Sequence, residues 1–286
     1  MQKLKNAILD KLIEKHVTDA ELDVLLYMAR SQSDRGRVIG VYYRAVCEEL
    51  DIAYQTFYNA LHGLEQKGII MQQKGSYYDI DVLILNNDFT NLPEAVKEGY
   101  ISVGADIFRS AVFKSLKANE KLLAMYFVKI AGSGRGSYHI SIENFYDKFT
   151  RLLGVSKRIV QRYLTALRKL FSIGIKDGKY WITPLKNVVK APKRTDKELY
   201  AENIVQAVFR RNRAKYTKQD LKDMRTVVGQ YAEDYKERIQ GAVARATQRS
   251  LYLRNENKNK YKWNRKINPA YIHKLLREEL TGAAKA

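Results

Sequence analysis

Lys157, Arg158, Gln161, Arg162 and Thr165 carry the most legible chemistry in this chain. In an α-helix these positions share one face, because residues three and four apart lie above one another. Val160, Leu164 and Leu167, with Tyr163 alongside, form the apolar stripe of the opposite face. A guanidinium can bond bidentately to a guanine edge, a Gln amide to an adenine, and Lys or Thr to a phosphate or a base. Ser156 precedes the set and is expected as a helix N-cap, or as a phosphate contact through its backbone N–H. Lys176 and Lys179 flank Asp177-Gly178, a pair suited to a tight hairpin turn, and are expected to hold phosphate.

A second set has the same spacing and different chemistry. Tyr54, Gln55, Tyr58 and Asn59, with His62, lie outward on a helix that carries no Lys or Arg before Lys67. Gln55 and Asn59 could read adenine, and the tyrosines could touch phosphate or a thymine methyl. The alternative is a protein-docking or self-association face, which tyrosines also suit. Lys74 stands in the adjoining Lys74-Gly75-Ser76 turn. A third set, Arg254, Lys260, Lys262 and Arg265, falls in an Asn/Lys-rich stretch with Tyr261 and Trp263 interleaved. Such a stretch is expected to order on DNA, where its aromatics pack or stack.

Other chemistries find no support. Gly132 to Ser137 is rich in glycine, but it follows a helical pattern, precedes a strand and lacks the Gly-Lys-Ser/Thr ending of a phosphate loop. His16, His62, His139 and His273 have no ligand-like spacing, and Cys47 sits among apolar neighbours as a core residue. No nucleophile–base set or carboxylate cluster is evident, so the expectation is a binding protein, not an enzyme, with no cofactor and no metal.

Charge names the partner class. The 286 residues carry 51 Lys+Arg against 31 Asp+Glu, a formal net charge of +20. It is unevenly spread: net −4 over 1–100, +10 over 101–185 and +14 over 186–286. A polyanion is the natural complement, because each neutralised phosphate releases counterions. No helix pairs a basic face with a long apolar one, which argues against an anionic membrane surface. No apolar run approaches the length of a membrane span or a signal core, and a cytoplasmic location is expected. The single cysteine agrees with a reducing compartment.

The elements that must position these residues recur twice. In 18–85, a capping box (Thr18, Glu21) opens a helix with Leu22, Leu25, Leu26 and Ala29 inward. A strand at Val38–Val41, a helix with Val46 and Leu50, and a helix from Tyr54 to Gly68 follow, then a hairpin around Lys74-Gly75-Ser76. In 101–185 the order repeats: a helix over Asn119–Ile130, a strand at Tyr138–Ser141, a helix with Phe145 and Phe149, a turn at Gly154, a helix reaching Phe171, and the Asp177-Gly178 hairpin. Leu50-Asp51-Ile52-Ala53-Tyr54-Gln55-Thr56-Phe57 aligns with Leu153-Gly154-Val155-Ser156-Lys157-Arg158-Ile159-Val160.

That grammar resembles the winged-helix superfamily over roughly 150 of the 286 residues. The resemblance implies that the third helix of each unit enters the major groove and its hairpin forms the wing. Tyr100 to Tyr126 is similar to the start of the winged-helix domain of plasmid replication initiators. Ile267 to Leu276 looks like the close of DnaD-type replication-initiation domains. The expected fold class is α+β and mostly α: an N-terminal winged helix with a leading amphipathic helix (1–86), a linker (87–100), a second winged helix (101–185), a basic linker (186–197) and an all-α basic domain (198–286). The expected partner is double-stranded DNA, with self-association through the first unit and a replisome component as further partners, and no membrane. Replication initiation of a plasmid or phage is the leading role; a promoter-binding regulator and a partition protein are the alternatives.

Overall fold

The computed structural model describes residues 2–73, 75–77, 79–131, 136–185, 195–235, 238–256 and 265–282. They form an α+β structure, mostly helical, with small antiparallel sheets. The chain starts with β1 (Lys3–Lys5) and α1 (Asn6–Glu14), whose Ile8, Leu9, Leu12 and Ile13 are all buried. α2 (Asp19–Ala29) opens on the capping box: Thr18 accepts from the Glu21 N–H, and the Glu21 carboxylate accepts from that of Thr18. β2 (Arg37–Val41), α3 (Tyr43–Leu50), α4 (Tyr54–Gln66), β3 (Ile70–Gln73) and β4 (Ile80–Ile84) complete the first unit. β4 lies between β2 and β3.

The second unit has the same order. α7 (Ala118–Ala131), β6 (Tyr138–Ser141), α8 (Ile142–Leu153), α9 (Lys157–Leu167), β7 (Phe171–Lys176) and β8 (Lys179–Pro184) follow one another, with β8 central in the sheet. α9 ends at Leu167, not at Phe171 as its pattern suggested. The apolar residues continue past the end because Phe171 opens β7, where it is buried in the same core.

The segment between the units, expected as a linker, is structured. It contains α5 (Leu92–Glu98) and β5 (Tyr100–Ser102), followed by a 3-10 turn (Asp106–Arg109) and α6 (Ala111–Lys114). β5 pairs antiparallel with β1 in the register Leu4↔Ile101. Buried Asn87 pins that pair: its amide donates to the Lys3 carbonyl (3.1 Å) and to Gln32 (2.6 Å), and its Oδ1 accepts from the Lys5 N–H (3.0 Å). α1 packs on α7 and α8, so the buried residues of both units make one continuous hydrophobic cluster. Ion pairs cross the same boundary. Lys129 meets Asp10 at 2.8 Å, and Lys121, 1% exposed, meets Asp23 at 2.7 Å. Burial pushes the Asp23 carboxyl above its usual range, against the opposing pull of Lys121.

The helices α10 (Asp196–Arg211), α11 (Lys218–Tyr235), α12 (Arg238–Glu256) and α13 (Pro269–Gly282) build a second core on Val205, Phe209, Met224, Val228, Val243, Ile272 and Leu276. This bundle is seated on the first sheet. Ile39 of β2 belongs to its core, Ala207 lies against Gly40, and Asn203 donates to the Ile39 carbonyl at 2.5 Å. Gly40 has φ +64°, and any side chain there would collide with Ala207. The fully buried Asp79 side chain takes Arg210 at 2.7 Å and Arg211 at 2.9 Å, and Arg211 also reaches Asp81 at 2.5 Å.

The Lys121–Asp23 pair yields a stability prediction. Asp23→Ala leaves a fully buried ammonium without its carboxylate and is expected to cost about 3–5 kcal/mol. Combining Lys121→Met with Asp23→Asn is expected to recover most of the loss, because an apolar isostere needs no counter-charge. Urea unfolding of the three chains checks this; an Asp23→Ala midpoint equal to the parent's would show that the pair contributes nothing.

Candidate nucleic-acid interface

Gly154 ends α8 in the left-handed region, at φ 64° and ψ 33°, and turns the chain into α9. Ser156 occupies the N-cap position of α9, as expected, but its hydroxyl bonds to none of the free N–H groups. The first N–H groups of a helix have no partner four residues back, so this end suits an anion. α9 buries Val160, Tyr163, Leu164 and Leu167 and leaves Lys157, Arg158, Gln161, Arg162 and Thr165 exposed. The whole predicted reading face is therefore on the surface. Thr165 is partly engaged, since its hydroxyl donates to the Gln161 carbonyl at 3.1 Å.

The hairpin lies beside this helix. Asp177 (φ 51°) and Gly178 (φ 69°) make its turn, both in the left-handed region a type I′ turn requires. Behind the turn the Tyr146 and Tyr180 hydroxyls bond at 2.7 Å and tie β8 to α8. Burial, and then that bond, push the Tyr180 phenol up to about 12. A cleft of about 370 Å³ separates α9 from the hairpin and is lined by Gln161, Thr165, Arg168 and Ile175. A second cleft is lined by Lys157 and Gly178, so the start of α9 and the hairpin turn border one groove. Lys157 also lies 4.7 Å from the Tyr146 ring.

Lys176 and Lys179 are directly opposite in the β7–β8 register, and both are exposed. Like charges in that relation repel, and a bound anion would relieve the repulsion. Arg168 is a residue the sequence reading missed. It stands three positions after Thr165 on the same face and lines the cleft, so helical spacing alone could have found it.

The first unit presents a different surface. Gln55 and Asn59 are exposed but bond to each other at 2.9 Å, and His62 bonds to Gln66 at 2.9 Å. Tyr54 packs on Tyr43 and Tyr58 with ring centroids 5.0 Å and 4.6 Å away. Burial, then neighbouring Tyr54, raise the Tyr58 phenol above its ordinary value. The β3–β4 hairpin is held by Arg210 and Arg211 of the C-terminal bundle. Lys74 lies outside the described residues.

The third set is dispersed. Arg254 falls within α12, while Lys260 and Lys262 lie outside the described residues with Tyr261 and Trp263. The Arg265 carbonyl accepts from the Lys215 N–H at 2.8 Å, which fastens the chain leading into α13. Among the described residues no group of three or more His, Cys, Asp or Glu side chains is placed to hold a metal, and no helix is long and apolar enough to cross a membrane. Comparison of the chain with protein-family models, curated proteins and solved structures finds no match.

Proposed function

We propose that this chain is a sequence-specific double-stranded DNA-binding protein made of two winged helices and a basic helical bundle, and that it acts at a replication origin. The observation that carries the reading is the convergence at α9. One exposed face offers Lys157, Arg158, Gln161 and Arg162. The hairpin whose turn residue Gly178 borders the groove at the start of α9 carries the exposed Lys176 and Lys179 on either side of that turn. The order helix, strand, helix, helix, hairpin, with the last strand central, supports the winged-helix assignment in both units. In that arrangement α9 enters the major groove, Arg158 and Gln161 read base edges, and the wing lysines hold the flanking phosphates.

The first unit supplies little electrostatic grip. The face of α4 is free of cations, its two amides are mutually bonded, and its hairpin is taken up by the bundle. Self-association through its tyrosines suits this surface better than phosphate binding. The role at an origin rests on the sequence resemblances to replication initiators. Mapping of bound sites across the host genome and the mobile element tests it: repeated sites at an origin support the role, and a lone promoter operator would replace it with transcriptional regulation.

Two substitutions separate base reading from phosphate contact. Arg158→Ala or Gln161→Ala is expected to cost about 1–3 kcal/mol on the mapped site and little on random duplex. Equal losses on both would reduce these residues to phosphate contacts. Lys179→Ala is expected to weaken both duplexes alike and to lower the slope of log K against log salt by about 1. An unchanged slope would remove the wing from the interface.

A further inference from the structure

The three strands of the second sheet have two faces, and the helices of the unit pack on only one. Ile173, Tyr180 and Ile182 point toward the helices and the core. By alternation the opposite face carries His139 on β6, Lys179 and Trp181 on β8, and Gly174 and Lys176 on β7. Trp181 is central: its register neighbours are His139 on one side and Gly174 on the other. The His139 ring lies against the Trp181 ring with centroids 3.6 Å apart, and Ser137 holds the imidazole by a 2.7 Å hydrogen bond. On the Gly174 side there is open space, since a Cβ built there meets nothing within 4 Å.

The same face of the first sheet is closed. There α10 covers Ile39, and arginines neutralise Asp79 and Asp81. On the second sheet no described element covers the face, Trp181 remains 38% exposed, and Lys179, two residues before it, stands on that face opposite Lys176. The indole has His139 against it, and its exposed part beside the side-chain-free strand position leaves room for a further flat group to stack. A nucleobase is flat, and its phosphate is the complement of Lys176 and Lys179. A paired base inside a duplex keeps its faces stacked on its neighbours, so only an unpaired strand can offer one.

We infer that this face binds single-stranded nucleic acid, with a base stacked on Trp181 over Gly174 and the adjoining phosphates held by Lys179 and Lys176. Trp181 faces away from α9. Gly174 also lines the α9 cleft, and Lys176 and Lys179 are shared with the duplex reading, so Trp181→Ala is the variant that separates the two.

The test uses the full chain and a short oligothymidylate at fixed salt, read by anisotropy of the labelled strand. A Trp263→Phe background leaves Trp181 as the sole indole, and its fluorescence reports stacking directly. The parent is expected to bind with quenching of Trp181. Trp181→Ala is expected to lose roughly 5- to 150-fold in affinity for the single strand, with duplex binding unchanged within about twofold. Gly174→Val leaves the indole in place, suits a strand, and fills the space beside it, so it is expected to weaken the single strand likewise. The inference is overturned if the parent does not bind the oligomer, if either variant binds it as the parent does, or if duplex affinity falls in proportion. It is also overturned if sedimentation without nucleic acid shows the chain self-associating through Trp181, which would make the face a contact between copies.

Discussion

Removing the Lys121 ammonium from water is a cost that the fold meets at one place, the Asp23 carboxylate 2.7 Å away. A buried cation without that partner costs about 3–5 kcal/mol, so the pair favours one relative position of α2 and α7. The same device recurs. Asp10 holds Lys129 across the same boundary, and Asp79 and Asp81 hold Arg210 and Arg211 of the bundle. Part of the acidic character of the first hundred residues, Asp10, Asp19, Asp23, Asp79 and Asp81, is thus directed at cations of the two basic thirds. The cations of α9 and of the hairpin beside it are not consumed in this way and remain exposed.

This division explains why two units of one plan present unlike surfaces. The first unit supplies the carboxylates and the seat for α10, and its hairpin and outer sheet face are covered as a result. The second unit receives ion pairs on α7 and keeps its third helix, hairpin and outer sheet face uncovered. Duplex recognition through α9 and single-strand capture on Trp181 would then use opposite sides of one hairpin, which suits a protein that acts where a duplex is opened.

Local signals in the sequence were the readable ones. The Thr18 and Glu21 capping box, Gly68 and Gly154 in the left-handed region, and the Asp177-Gly178 turn each encode a short-range constraint, and each is where its residues suggested. The outward face of α9 followed from helical spacing in the same way. Long-range pairing was not readable. β1 and β5 are three residues each and lie almost a hundred positions apart, too short for any alternation to show. Lys121 resembles any surface lysine on a helix, and nothing near Asp79 or Asp81 names Arg210 or Arg211 as partners. The stretch holding Lys260 and Lys262 has no apolar period and falls outside the described residues.

The central claim is that α9 of the second unit is the surface that meets duplex DNA. Amide hydrogen exchange of the full chain, with and without a duplex carrying the mapped site, tests it without altering a residue. The Lys157 and Arg158 N–H groups precede the first helical bonds, which Ile159 and Val160 make to the Ser156 carbonyl, and this first turn exchanges quickly in the free protein. The account predicts that duplex slows exchange at residues 157–162 and at the 176–179 turn, while the start of α4 is little changed. Protection over residues 54–59 with α9 unaffected would contradict it.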